Sequence, residues 1–273
     1  MDELSGQNYV IEARGLVKKF GFKTALRKVD LFLKTGDCLA LFGPNGAGKT
    51  TLIQILCSLM MPTSGKVVIA GFDTRYHRVN LHRFIGVISH DPFLYGNLTA
   101  VENLNFYGKM YHVPKLKARI DDLIRRVGLQ AYENDPVQTY SRGMKQRLSV
   151  ARAIIHDPAV LFLDEPFTGL DQQGADDLQQ LLIQFRDQQK TIVMASHNLA
   201  RGLELCSHAA VLKAGELIYH EDIASIDKSD FKQIYMKLTG EKTWPHQAPA
   251  QVSYENSRQS YGRIFFPNSD PKN

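Results

Sequence analysis

Cysteine and tryptophan are scarce in this chain of 273 residues, with three copies and one. Cys38, Cys57 and Cys206 stand far apart among apolar or helical neighbours, which argues against a disulfide framework or a thiolate metal site and for buried free thiols. No apolar run approaches the roughly 20 residues of a membrane-spanning helix. The opening Met1-Asp2-Glu3-Leu4-Ser5-Gly6 lacks the charged and apolar regions of a secretory leader, so a cytoplasmic location is expected. Neither sign of charge dominates: 33 Lys and Arg against 28 Asp and Glu give a net +5. The basic residues are dispersed, so no nucleic-acid partner is expected. What is there is a 44% hydrophobic composition, enough for a substantial core and consistent with an α/β enzyme of one or two domains.

The most informative segment is Gly43-Pro44-Asn45-Gly46-Ala47-Gly48-Lys49-Thr50, a complete G-x-x-x-x-G-K-[ST] loop. It follows the short apolar run Leu39-Ala40-Leu41-Phe42 and precedes the helix-forming Thr51-Leu52-Ile53-Gln54-Ile55-Leu56. Glycines let the backbone curl so that successive N–H groups point at phosphate oxygens, Lys49 adds a point charge, and Thr50 offers a hydroxyl to magnesium. The positive end of the helix opening at Thr51 faces the same anion. The pattern points to a nucleoside triphosphate with Mg2+.

Around this loop the hydrophobic periodicity changes three times. Residues 9–33 alternate apolar and polar in two runs, as half-buried antiparallel strands do, and strands are expected at 64–71 and, in the core, at 84–88. From about 99 to 156 the spacing turns helical, with Leu116, Ile120, Leu123, Ile124 and Val127 on one stripe and Met144, Leu148, Ala151 and Ile155 on another. Continuous apolar runs at 159–163 and 191–195 read as parallel strands buried on both faces, with a helix over 172–188 between them. From Thr239 the composition shifts to proline, serine, asparagine and lysine, and order is not expected beyond 251.

Asp164 and Glu165 stand at the carboxyl end of the strand over 159–163, where α/β sheets place their ligands. Two adjacent side chains on a strand end point in different directions. Asp164 is the candidate for the magnesium shell, and Glu165 for the group that polarises the water attacking the γ-phosphate.

Upstream of this pair, Tyr140-Ser141-Arg142-Gly143-Met144-Lys145-Gln146-Arg147 resembles the signature of the ATP-binding-cassette family, with Ser141, Gly143, Gln146 and Arg147 fitting it. Tyr140, Arg142 and Met144 depart from the usual leucine, glycine and glutamine. A serine and a bare backbone at a helix start suit phosphate binding, and the resemblance implies that this phosphate belongs to the ATP held by a second copy of the chain. Further matches cover most of 9–226. Phe20 falls where the family stacks an aromatic on adenine, Thr168-Gly169-Leu170-Asp171 resembles the loop crossing the dimer interface, and His197 takes the place of the switch histidine that meets the γ-phosphate. His90 stands where the family usually has a glutamine that contacts magnesium or water.

The resemblance implies an α/β fold, a P-loop NTPase with a RecA-like core, an antiparallel β subdomain and a helical subdomain at about 91–156, within an ATP-binding domain of 9–238 followed by a tail of 239–273. It implies an ATPase with ATP and Mg2+ as cofactors. The nucleotide residues are then Phe20, Gly43, Pro44, Asn45, Gly46, Ala47, Gly48, Lys49, Thr50, Thr51, His90, Asp164, Ser141, Gly143 and Asp171, the metal ligands Thr50 and Asp164, and the catalytic pair Glu165 and His197. Expected partners are a second copy and an integral membrane permease, which holds the subunit at the inner face of the cell membrane, with Phe93, Leu94, Tyr95 and Tyr107 as the receiving surface. The segments around Ser89-His90-Asp91-Pro92 and Glu165-Pro166-Phe167 resemble the ATPase subunit of the haem exporter of cytochrome c maturation. An exporter of lipids, polysaccharides or drugs shares nearly all of these residues. A soluble cassette acting on ribosomes or DNA fits less well, since neither a second cassette nor a long coiled-coil insertion is present. The lack of an Asn-Lys-x-Asp motif argues against a GTPase.

Overall fold

The computed structural model describes residues 9–89 and 91–241. Strands β1 (Tyr9–Phe20) and β2 (Lys23–Lys34) pair antiparallel and alternate buried with accessible side chains. They join β4 (Ser64–Ile69) and β5 (Phe72–Asp73) in a four-stranded antiparallel sheet of order β2-β1-β4-β5. The second sheet takes β3 (Cys38–Phe42), β6 (Ile85–Ile88), β7 (Val160–Asp164), β8 (Thr191–Ala195), β9 (His208–Lys213) and β10 (Glu216–Asp222). Its order is β10-β9-β3-β8-β7-β6, parallel except for the β9–β10 hairpin.

Every residue of β3, β7 and β8 is buried, as their unbroken apolar composition requires of strands covered on both faces. Alternate side chains serve two cores. Leu39 and Leu41 pack with α1 (Lys49–Leu56) and the antiparallel sheet. Cys38, Ala40 and Phe42 face the opposite core, which the remaining long helices cover. These are α3 (Ala100–Met110), α4 (Leu116–Arg126), α5 (Arg142–Ile154), α6 (Gln172–Asp187), α7 (Leu199–Leu205) and α8 (Lys228–Thr239); the short α2 (Arg78–Leu81) precedes β6. Burial of side chains such as Phe162 or Leu161, each fully enclosed, stabilises by about 1.5–3 kcal/mol apiece.

Helix starts follow local chemistry. Thr99 and Glu102 form a reciprocal capping box at α3, while Ser141, Asp171 and Asn198 cap α5, α6 and α7 by accepting from backbone N–H groups. The strand expected in the core at 84–88 is β6, with Ile85 and Ile88 buried in the core, and it forms the edge of its sheet, paired among the described residues only with β7. It is apolar because α5 packs over it. Helix α6 stops at Asp187, one residue short of the expected end. His90 and the residues from 242 onward, which include most of the expected tail, lie outside the described residues. No helix among the described residues is long and apolar enough to cross a membrane.

Candidate active site

The sheet brings the ends of three neighbouring strands together. The loop at 43–50 leaves β3, Asp164 and Glu165 end β7, and Ser196 and His197 follow β8. Adjacent parallel strands run about 4.8 Å apart, so these loops converge by backbone pairing alone. Asp164 lies opposite Ala195 in the ladder, and the Glu165 N–H donates to the Ala195 carbonyl at 2.9 Å.

The loop keeps its shape through two glycines that admit no side chain. Gly43 has φ 148°, and a Cβ there would collide with the Leu212 carbonyl oxygen. Gly48 has φ 109° and would bring a Cβ to 2.6 Å from the Ala25 carbonyl oxygen. The second contact also sets the β1–β2 hairpin beside the loop. That hairpin carries Phe20, 47% exposed, with the Lys18 ammonium 5.0 Å from its ring centre. An accessible aromatic face at that spot suits a planar base.

Lys49 is buried and donates to the carbonyls of Gly43 at 2.6 Å and Pro44 at 3.2 Å. Burial lowers its pKa, opposed by the negative charges of Glu165 and Asp164. Thr50 is exposed in the first turn of α1, and Asp164 is buried at the end of β7. Among the described residues no group of three or more His, Cys, Asp and Glu side chains is arranged to hold a metal ion. A hydroxyl and a carboxylate beside a triphosphate loop instead match how Mg2+ is bound, through one or two protein oxygens together with phosphates. The donor set and the side-chain-free cradle fit ATP with Mg2+.

Glu165 adopts φ 54°, left-handed backbone that a side chain enters at a cost of about 1–3 kcal/mol. Its Oε2 accepts from the His197 backbone N–H at 3.2 Å, and its Oε1 stands 3.2 Å from His197 Nε2. Burial raises the carboxyl pKa to about 7, with that N–H bond and Lys49 pulling it down. Burial also pushes the imidazole to about 4, helped by Lys49. The contact therefore joins a neutral imidazole to a carboxyl poised near neutrality, the range a general base needs.

Ser141, Gly143 and Asp171 gather elsewhere. Ser141 is exposed, its Oγ accepting from Met144 N–H at 3.2 Å, and a Cβ at Gly143 would meet its nearest atom, on Leu170, at 3.7 Å. Asp171 Oδ1 accepts from Gly174 N–H at 2.8 Å. Two helix starts, α5 and α6, thus share one face. Sequence reasoning puts no role on Gln146 or Ala25. Gln146 is marked only by its fit to the signature, and nothing in the sequence marks the Ala25 carbonyl.

The sequence pattern of the family described as "ABC transporter" matches residues 26–168, more than half of the chain. The chain belongs to that family. NatA, an ABC transporter ATP-binding protein of Bacillus subtilis, is 37% identical over 209 residues, covering 76% of this chain and 85% of NatA. The bacitracin transport ATP-binding protein BcrA of Bacillus licheniformis is 35% identical over 231 residues, covering 84% of this chain and 75% of BcrA. The lantibiotic transport ATP-binding protein SrtF of Streptococcus pyogenes is 35% identical over 213 residues, covering 78% and 91%. Among solved structures, the dimeric cassette MJ0796 in a post-hydrolysis state with ADP and Pi aligns with TM-score 0.73 at 25% identity, covering 79% of this chain and all of that one. The cbiO1 subunit of the cbiONQ transporter complex from Clostridium perfringens aligns with TM-score 0.72 at 26% identity, covering 85% and 96%. The cassette is an ATPase that uses ATP and Mg2+. The expected resemblance to a haem exporter finds no support among these relatives, two of which carry antibiotic transport in their names.

Proposed function

We propose that this cassette is the energy-supplying subunit of an exporter, closing as a dimer around two ATP molecules to drive a separate membrane permease. The observation that carries the reading is the separation of the two phosphate-binding features. The glycines of the loop at 43–50 pack on Leu212 and on Ala25 of the β1–β2 hairpin, whereas Gly143, at the capped start of α5, packs on Gly169 and Leu170 beside Asp171, so the two features share no neighbour there. One chain supplies two half-sites, and a second copy completes each.

In that arrangement the loop amides, Lys49 and the α1 N-terminus hold the phosphates, Thr50 and Asp164 hold Mg2+, and Phe20 stacks on adenine. Ser141 and Gly143 of a second copy cap the γ-phosphate. Glu165 takes the proton of the attacking water, and His197 orients Glu165 and reaches the γ-phosphate. Bound magnesium supplies charge neutralisation between the phosphate oxygens. His90 remains the candidate for the usual glutamine position. The permease-facing surface is the aromatic group on the loop before α3 and on α3 itself, with one correction to the expected set. Tyr107 turns inward, its hydroxyl donating to the Phe93 carbonyl at 2.5 Å, whereas Phe106 is 42% exposed and meets the 40% exposed Tyr95 edge-on at 5.1 Å.

For cargo, the names of BcrA and SrtF favour a membrane-active peptide antibiotic over haem. Glu165→Gln in the full chain tests the dimer reading. With ATP and Mg2+ the variant should double its mass by light scattering and lose at least about 100-fold in turnover; a species that stays monomeric at saturating ATP would sink it. The permease that copurifies in mild detergent tests the cargo reading.

A further inference from the structure

Helix α5 carries a second device on the side that faces edge strand β6. Arg152 Nη2 donates to the Val87 carbonyl at 2.5 Å, and its guanidinium lies 5.4 Å from the Phe93 ring centre and 5.5 Å from that of Tyr107. One turn on, His156 Nε2 stands 3.0 Å from the Ile85 carbonyl while the ring stacks on Tyr111, centroids 4.0 Å apart and planes 14° apart. The two rungs repeat in register: Arg152 on α5 and His156 just past its end face Tyr107 on α3 and Tyr111 at its C-cap, against Val87 and Ile85 of β6. The Tyr107 hydroxyl closes the first rung on the Phe93 carbonyl.

The first rung holds a cation at a cost. Arg152 makes no ion pair among the described residues, and its Nε is sealed from solvent without a hydrogen-bond partner. A carbonyl and two ring faces meet it directly, with the Asp91 carboxylate adding attraction without an ion pair. Burial lowers the Arg152 pKa, with Tyr107, Tyr111 and Asp91 opposing, yet arginine stays charged at any working pH. Apolar side chains of similar volume usually fill such a place at lower cost, so a buried cation with so little compensation points to a role. Cation–π attraction strengthens on desolvation and ties the charge to two rings that belong to different segments.

Those segments have different tasks. Phe93 lies in the loop that follows β6, held tight by Asp91, whose Oδ1 accepts from the Phe93 N–H at 3.0 Å, and by φ 51° at Phe93 itself. Tyr107 lies on α3, behind the exposed Tyr95 and Phe106. Arg152 lies on the helix that opens at Ser141. We propose that Arg152 is a positioning residue that locks α5, the 91–95 loop and α3 into one body, so that closure on ATP at the start of α5 moves the Tyr95–Phe106 face with it. This rests on the ATP-dimer reading above.

Amide hydrogen exchange on the full chain carrying Glu165→Gln, with and without ATP and Mg2+, tests it. In that parent, ATP-dependent protection should extend through both the 91–95 loop and α3. Adding Arg152→Met should confine it to the loop, while Arg152→Lys, which keeps a cation over the rings, should restore at least half of the α3 response. Tyr107→Leu, which removes a ring from the rung, should act as Arg152→Met does. A fluorescent ATP analogue should bind every variant within about twofold of the parent, so that loss of nucleotide binding, which would challenge the underlying reading, is scored separately. Persistence of the α3 response in Arg152→Met, its absence from an ATP-bound parent, or unfolding of both Arg152→Met and Tyr107→Leu by circular dichroism would each overturn the proposal.

Discussion

The side-chain amide of Gln146 donates to the backbone carbonyl of Pro166 across 2.8 Å, tying the second turn of α5 to the residue next to Glu165. Under the proposed function, one hydrogen bond thus connects the helix assigned to a second copy's nucleotide with the loop that carries the proposed base, Glu165. A bond of this kind contributes about 0.5–1.5 kcal/mol. Gln146→Ala should therefore lower turnover by roughly 2- to 12-fold while leaving the affinity for a fluorescent ATP analogue within about twofold, measured by steady-state kinetics beside equilibrium titration.

Lys49 has a different part, since in the proposed site its ammonium, which here donates to the Gly43 and Pro44 carbonyls, donates directly to phosphate. Charge-assisted hydrogen bonds contribute about 1.5–3 kcal/mol. Lys49→Ala should weaken the same analogue by about 10- to 150-fold, and an unchanged titration curve would remove the lysine from the phosphate site.

The pair Glu165 and His197 gives stability a pH dependence with two opposing signs. Glu165 has its folded pKa raised to about 7 from 4.5, so the folded chain binds more protons in that window, and its contribution is full below 4.5 and lost as pH rises to 7. His197 has its folded pKa lowered to about 4 from 6.5, so its contribution is present above 6.5 and lost as pH falls to 4. Between about pH 4.5 and 6.5 the two trends oppose each other. Glu165→Gln should remove the first and expose the second, so its melting temperature without nucleotide should fall more steeply than that of the parent as pH drops from 6.5 to 4.5. In kinetics, turnover of the unmodified chain should rise with pH across about 7 as Glu165 deprotonates.

Glycines at two places separate fold from assembly. Gly48→Ala meets both a positive φ and the Ala25 carbonyl, a strain of about 1–3 kcal/mol that should lower the melting temperature by roughly 2–12 °C and weaken ATP binding. Gly143→Ala finds its nearest neighbour at 3.7 Å, an ordinary contact. Its melting temperature should stay within about 1 °C of the parent, while the ATP-driven dimer of the Glu165→Gln background should weaken by tenfold or more on dilution in light scattering.

The loop at 43–50 and the carboxylates at 164–165 are legible in the sequence because each is a contiguous string whose chemistry depends on backbone freedom or strand position. Buried strands such as β7 and β8 are legible for the same reason, each an apolar run of the length a strand needs. Strand β6 reads as core and its Ile85 and Ile88 are buried there, but its place at the edge is not legible, because composition does not say whether an apolar strand has one neighbour or two. Arg152 is hidden among the signature's downstream residues, since its partners Val87, Phe93 and Tyr107 are 45–65 positions away and no period links them. Tyr107 is expected on the surface with Tyr95, but its hydroxyl finds the Phe93 carbonyl and turns the ring inward.

The order of the large sheet also divides what can change from what cannot. The proposed phosphate site hangs on β3, β8 and β7, adjacent strands in parallel register, so a one-residue slip in a pairing would turn its side chains to the opposite face. The face proposed for a permease follows β6, at the rim of the sheet. If that proposed face is what a permease reads, changes along it would alter the partner and leave the strands that carry the phosphate loop untouched.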